Sequence, residues 1–497
     1  MHDRLFLLAL CAVTVSCQPG LRTVSASYKE GSAGSGGNSS GEVSTQRIAP
    51  AGAIRSYADT VDHVAPAVVT VHANRRTKTA EQYPYAQDPF FRRFFNLPND
   101  PSSGGGQQQS QVEHALGSGV IVSADGRILT NHHVIDGAQD ISVDLADRRT
   151  FKAKLIGSDK PSDLAVLKIE ASNLPVLTPG DSDKVRVGDV CLAVGNPLGI
   201  GETVTSGIIS AKGRYTGMSD GSFEDFLQTD APINQGNSGG ALVDTAGEFI
   251  GVNSQILSTS GGNIGIGFAI PINMAKNVME QLVTKGKVTR GQLGVLVQYI
   301  NSDLAASLGL KEVKGVLVNQ VTPGGPAERA GVKPGDVVLS LDGAPVNDVN
   351  TLRNRVAAAS PGSDVTLSIL RDGNQQQLHA KLGEFHPSNN SGAGANPGDN
   401  SASGGKLGVA VEPLTEDMSS QLGLPASTRG LVVNSVDPSG AAAEAGIQPG
   451  DVIVQINRLP VHSTSDVSAA LAKSSDRPAL LQINRKGQTV FVPVRIH

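Results

Sequence analysis

Between Leu116 and Phe268, short apolar runs alternate with turns rich in Gly, Asp and Asn. The runs include Gly119–Val122, Arg127–Thr130, Ile141–Leu145, Ala165–Ile169, Val190–Val194, Gly207–Ser210, Ala241–Val243, Phe249–Val252 and Gly265–Ile270. Many short strands at close spacing predict β-barrels or sandwiches. A helix over Ser56–Val64 and a strand over Ala67–His72 precede this region, and a helical period over Ile272–Lys285 closes it.

Beyond that helix the chain repeats itself. Gly315-Val316-Leu317-Val318 returns as Gly430-Leu431-Val432-Val433. Ala330-Gly331-Val332-Lys333-Pro334-Gly335-Asp336-Val337-Val338 returns as Ala445-Gly446-Ile447-Gln448-Pro449-Gly450-Asp451-Val452-Ile453, and Leu293-Gly294-Val295 as Leu407-Gly408-Val409. Each unit of roughly 90 residues is long enough for a small domain. Residues 386–405 between them hold mostly Asn, Ser, Gly and Ala, the composition of a linker.

The other end of the chain reads as an export signal. Arg4 precedes an apolar core from Leu5 to Val15, too short to span a bilayer. Val15-Ser16-Cys17 resembles the bacterial lipoprotein box. Two outcomes are open: cleavage before Cys17 with lipidation and membrane attachment, or plain cleavage near Ser16 to Gln18. Residues 18–50, rich in Ser, Gly and Ala, form a tether. Residues 80–111 form an insertion in which Pro89–Phe95 carries four of the twelve Phe residues. Such a cluster meets a partner surface or packs on its own domain.

Composition narrows the classes. The 497 residues allow several domains. A net charge of −5 and a pI near 6.1 argue against general nucleic-acid binding. Of the three cysteines, Cys11 lies in the signal and Cys191 in an apolar run, so no intrachain disulfide is expected.

The candidate chemistry centres on Gly236-Asn237-Ser238-Gly239-Gly240. A Ser hydroxyl becomes a nucleophile only when a base takes its proton. It also needs N–H donors at the developing oxyanion, which Gly-rich turns supply. Upstream stand Thr130-Asn131-His132-His133-Val134 and Ser162-Asp163-Leu164-Ala165-Val166. His, Asp and Ser in that chain order fit a chymotrypsin-type triad. His132 and His133 compete; adjacent residues on a strand face opposite ways, so one of them faces Ser238.

Together with Gly117-Ser118-Gly119-Val120-Ile121, Gly195-Asn196-Pro197-Leu198-Gly199 and Gln228-Thr229-Asp230-Ala231, these motifs resemble the HtrA family of Do-like serine proteases, in its DegP/DegQ branch, over residues of about 52 to 497. The resemblance implies a mainly β chain: a chymotrypsin-like double β-barrel followed by two PDZ domains of α/β type. The expected division is a signal at 1–17, a tether at 18–50, a protease domain at 51–285, PDZ domains at 286–385 and 406–497, and the linker at 386–405. It selects His133 as the base, Asp163 as its partner and Ser238 as the nucleophile. The oxyanion site falls on Gly236, Asn237 and Ser238. It places Ile233, Leu257 and Ile266 around an apolar pocket for Val- or Ala-like residues, since Pro232 stands where a trypsin carries Asp. Leu293, Gly294 and Val295 would capture a peptide C-terminus, with Leu293 and Val295 lining a pocket.

The implied function is ATP-independent endoproteolysis of misfolded or unfolded envelope proteins in the periplasm. Implied partners are unfolded chains, peptide C-termini and further copies of the chain, as a trimer or multiples of a trimer. No cofactor, metal or nucleic acid is implied. The competing reading is a chaperone holdase or PDZ scaffold in which proteolysis is secondary.

Overall fold

The computed structural model describes residues 56–77, 111–196, 202–217, 222–234, 236–257, 263–386, 407–425, 428–472 and 477–496. The export signal with Cys17, the tether, the Phe-rich part of the insertion and the linker beyond residue 386 lie outside the described residues.

Two closed six-stranded barrels come first. One comprises β1 (Val68–Thr77), β2 (Gln111–Ile121), β3 (Arg127–Thr130), β4 (Asp140–Asp144), β5 (Thr150–Asp159) and β6 (Leu164–Ile169), in the order β1-β2-β3-β6-β5-β4. The other comprises β7 (Val190–Gly195), β8 (Thr203–Arg214), β9 (Phe226–Thr229), β10 (Ala241–Asp244), β11 (Phe249–Ile256) and β12 (Gly267–Pro271), in the order β10-β11-β12-β9-β8-β7.

The apolar runs lack strict alternation because several strands are buried on both faces. On β6, Ala165, Leu167 and Ile169 fill the first barrel, while Leu164 and Val166 face the seam between the barrels. Leu192 and Val194 of β7 and Ala241 and Val243 of β10 join that seam. The helix Ile272–Lys285 adds Ile272, Ala275, Val278 and Leu282 to it, at helical spacing. Each large side chain buried there contributes about 1.5–3 kcal/mol. The strand β5 shows no apolar run because Lys152 and Lys154 interrupt it; its Leu155 and Ile156 are exposed.

Each repeat folds into one antiparallel sheet with helices packed on it. In the first, the strands Val295–Tyr299, Val316–Val321, Val337–Leu341, Asp364–Arg371 and Asn374–Lys381 lie side by side in that order. In the second, Val409–Pro413, Leu431–Val436, Val452–Ile456, Ala479–Arg485 and Gln488–Val494 repeat the order. The duplicated Gly-Asp motif carries the same brace twice. Arg371 grips Asp336 with two hydrogen bonds, 2.7 and 2.6 Å, and the Gly331 carbonyl at 2.7 Å. Arg485 does the same to Asp451 and Gly446 at 2.7, 2.6 and 2.7 Å. Planar guanidinium groups suit such forked contacts.

Several contacts join the barrels to the first repeat. Arg290 forms a buried, forked ion pair with Asp159, one arm at 3.0 Å. Phe223 lies under two guanidinium groups, those of Arg290 and Arg353, each 4.5 Å from its centroid, with Phe385 edge-on at 5.6 Å. Asn350 and Asn354 both donate to the Glu224 carbonyl, at 2.7 and 2.6 Å.

Beside these contacts lies a cavity of about 720 Å³ whose lining includes Asp183, Lys212, Asp225, Asp348 and Arg355. Burial pushes the Asp225 carboxyl up to about 6, and the charges of Asp183 and Asp348 add to the shift against Lys212 and Arg355. A carboxyl raised on folding is fully tolerated below its unfolded value near 4, and stability is lost as pH climbs through about 6. The variant Asp225→Asn is therefore expected to gain about 2–3 kcal/mol over the parent at pH 7.5 and nothing at pH 4. Denaturant titrations at the two pH values check this; an equal gain at both would remove the charge from the explanation.

The two repeats also touch. Ile300, Leu304, Leu317 and Val337 of the first bury Leu480 and Phe491 of the second. The Gln298 side chain donates to the Phe491 carbonyl at 3.0 Å and accepts its N–H at 3.2 Å.

Candidate active site

Three loops meet at the seam between the barrels. The first begins where β3 ends at Thr130. His132–Ile135 then forms one helical turn, so the two histidines do not lie on a strand as the sequence pattern suggests. Successive residues on a helix diverge by roughly 100° instead of 180°.

The two rings have different surroundings. The His133 Nδ1 lies 2.7 Å from Asp163 Oδ2, and the His133 backbone N–H donates to Asp163 Oδ1 at 3.0 Å. An ionised carboxylate can only accept, so Nδ1 carries the proton and Nε2 is left as the base. The His132 ring makes no such contact. Its Nδ1 is buried without a hydrogen-bond partner, and its Nε2 stands 3.7 Å from Asp136. Burial holds His132 below the usual histidine range, the nearby carboxylates of Asp136 and Asp163 opposing it.

The second loop sets Asp163. A single 3₁₀ turn, Lys160–Ser162, is capped by Asp159, which accepts from the Ser162 N–H at 3.0 Å. The turn ends at Asp163 in the left-handed region, φ 54°. An L-residue there is strained, and Asp tolerates it better than most. The Asp163 carbonyl accepts from the His132 N–H at 3.1 Å and from the Asn131 side chain at 2.9 Å. Burial pushes its carboxyl up, but the charge and hydrogen bonds of His133 outweigh that and leave it below the ordinary carboxylate value.

The third loop carries Ser238, which is fully buried. Its hydroxyl donates to the Ser254 carbonyl at 2.8 Å, and the Ser254 hydroxyl donates to Asp163 Oδ2 at 3.0 Å. Ser254 thus links nucleophile and acid. Sequence reasoning missed it; the signal was Asn253-Ser254, a buried polar pair inside the otherwise apolar strand β11. Gly239 is required beside the nucleophile: its φ is +84°, and a Cβ there would lie 2.1 Å from the Ser118 carbonyl oxygen. The Asn237 N–H donates to the Asn234 carbonyl at 3.0 Å. Of the three residues expected at the oxyanion site, its backbone donor is thereby engaged elsewhere.

Residues 117–252 match the trypsin-like peptidase domain model, and residues 291–382 and 432–485 each match a PDZ domain model. A protein of Chlamydia muridarum named probable periplasmic serine endoprotease DegP-like is 42% identical over 423 residues, covering 85% of this chain and 82% of its own. A protein of the same name from Halomonas elongata is 41% identical over 453 residues, covering 88% and 93%. Among solved structures, the HtrA-type protease AlgW with a tripeptide is 45% identical, with a TM-score of 0.53, over 67% of this chain and 98% of that one. The chain belongs to the HtrA family. It is a serine endopeptidase with two PDZ domains.

The remaining expected residues are distributed unevenly in this HtrA chain. Leu257 and Ile266 are brought together, the Leu257 N–H donating to the Ile266 carbonyl at 3.1 Å. Leu257 is 46% exposed, whereas Ile233 is fully enclosed in the core of the second barrel. In the first PDZ domain the Leu293 side chain is 3% exposed and packs in that domain's core. Gly294 has φ +77°, and its carbonyl accepts from Thr322 at 2.8 Å. Val295 then begins an edge strand paired on one side only. Cys191 is buried and stands 3.2 Å from the Thr229 hydroxyl, and burial pushes its thiol up to about 11.

Proposed function

We propose that this chain is an exported, ATP-independent endopeptidase that degrades misfolded or unfolded proteins in the periplasm. The observation that carries the reading is the short His133–Asp163 contact, tied through Ser254 to Ser238. Rotation of the Ser238 hydroxyl from the Ser254 carbonyl to His133 Nε2 prepares attack on a peptide carbonyl. His133 takes the proton and returns it to the leaving amine, while Asp163 stabilises the imidazolium. The N–H groups of Gly236 and Ser238 hold the oxyanion. The apolar Leu257 and Ile266 favour Val- or Ala-like residues next to the scissile bond. Folded proteins bury such residues, so unfolded chains are the natural substrates.

The division into signal, tether, protease domain 51–285 and PDZ domains 286–385 and 406–497 belongs to the same reading. So do assembly into trimers or their multiples and the alternative of lipidation at Cys17. The first PDZ domain captures a substrate's C-terminus by adding it as a strand beside Val295–Tyr299, its carboxylate at the Leu293–Val295 backbone. Capture raises the effective concentration of the chain near Ser238.

The test is digestion of unfolded casein by the mature protein without ATP, beside Ser238→Ala, with calorimetry on one apolar-ended peptide as acid and as amide. Casein loss with the parent alone is expected, together with at least tenfold weaker binding of the amide. Casein protected from aggregation but uncut would favour the holdase reading.

A further inference from the structure

We propose that Ser118 is a positioning residue that fixes the oxyanion site from the opposite barrel. The reading rests on Ser238 as the nucleophile. Ser118 sits on β2 of the first barrel and is fully buried. The nucleophile loop belongs to the second barrel, between β9 and β10.

All of the polar groups of Ser118 are engaged. Its hydroxyl donates to the Gly236 carbonyl at 2.6 Å and accepts from the Asn196 N–H at 2.9 Å. Its backbone N–H donates to the Ser238 carbonyl at 2.8 Å, and its carbonyl accepts from the Thr130 hydroxyl at 2.7 Å. The motif Gly117-Ser118-Gly119 thus carries a role that neither the triad nor the barrel core absorbs.

The contact to Gly236 acts on a particular peptide plane. The Gly236 carbonyl and the Asn237 N–H belong to one rigid amide. Ser118 holds the first and the Asn234 carbonyl holds the second, at 2.6 and 3.0 Å. With both ends fixed, the plane cannot rotate. The amides that carry the Gly236 and Ser238 N–H groups flank it, so holding this plane narrows the range over which both can swing. Gly236 has φ +97°, and no side chain restrains it locally. Without the Ser118 hydroxyl, the amide is held at one end only. The donors then spend less time aimed at the oxyanion, which forms only as the reaction proceeds.

The expected result for Ser118→Ala, in the full mature chain with a chromogenic peptide, is a fall in kcat of about 10- to 100-fold with KM unchanged. A peptide boronate, whose tetrahedral adduct uses the same site, should lose affinity by the same factor. The acid limb of the pH profile should stay in place, because the His133–Asp163 pair is untouched. Thr130→Val removes a buried bond to the same residue without freeing Gly236; it should lower the melting temperature and leave kcat within twofold. Ser118→Cys keeps the volume with a weaker donor and serves if the Ala variant does not fold; kcat should again fall with KM unchanged. Parental kcat in the folded Ser118 variant, or equal losses of kcat for Thr130→Val, would overturn the assignment. Ser238→Ala in the same series separates the two ideas. If it is inert while Ser118→Ala is fully active, only the role of Ser118 fails; if it still cleaves, the reading of the site fails.

Discussion

Ser238→Ala and His133→Ala should each lower kcat by roughly a million-fold, and the double variant should be no slower than either one. The two side chains act as a unit: a hydroxyl without its base and a base without its hydroxyl are equally useless. Residual hydrolysis would come from the oxyanion site and substrate binding alone. His132→Ala should stay within about tenfold of the parent, because the His132 ring makes no hydrogen bond to Asp163 and burial disfavours its charged form. Single-turnover kinetics on one amide substrate, with mass spectrometry to exclude contaminating parent enzyme, decides the matter. A dead His132→Ala beside an active His133→Ala would reassign the base.

Arg290→Ala is the second large effect, on stability rather than rate. The Arg290 and Asp159 side chains are 9% and 7% exposed. Removing one partner of such a pair strands the other charge in a dry site, at a cost of about 3–5 kcal/mol. Asp159 also caps the turn that leads into Asp163, and Arg290 also covers Phe223. Exchanging the pair together for Met and Leu should cost far less, since no charge is then left buried. Denaturant melts of the single and paired variants measure the difference. A loss below 1 kcal/mol for Arg290→Ala would show that water reaches Asp159.

The architecture was legible where local pattern and global fold agreed. The apolar runs of the barrels, the helix Ile272–Lys285 and the duplicated repeats all announced themselves. Asp163 and His133 stood out because their motifs are compact. Ser254 did not, and Ser118 stood in a motif without a role, because their meaning depends on partners 91 and 118 residues away in the chain. A hydroxyl bonded to a distant carboxylate or carbonyl leaves no period and no spacing to read. Leu293 shows a different limit. Its place at the start of a repeated Leu-Gly-Val segment was visible, but that its side chain packs in the core depends on how the segment turns against the sheet.

The Gln298 side chain is bonded to both the N–H and the carbonyl of Phe491. Gln488–Val494 is the outermost strand of its sheet, and such a rim is a template on which stray polypeptides grow. An amide side chain offers the same donor and acceptor as a backbone, but it has no next residue to extend. Gln298 therefore works as a stopper: it occupies the template at one rung and cannot propagate it. At Phe491 a passing chain therefore finds the place taken.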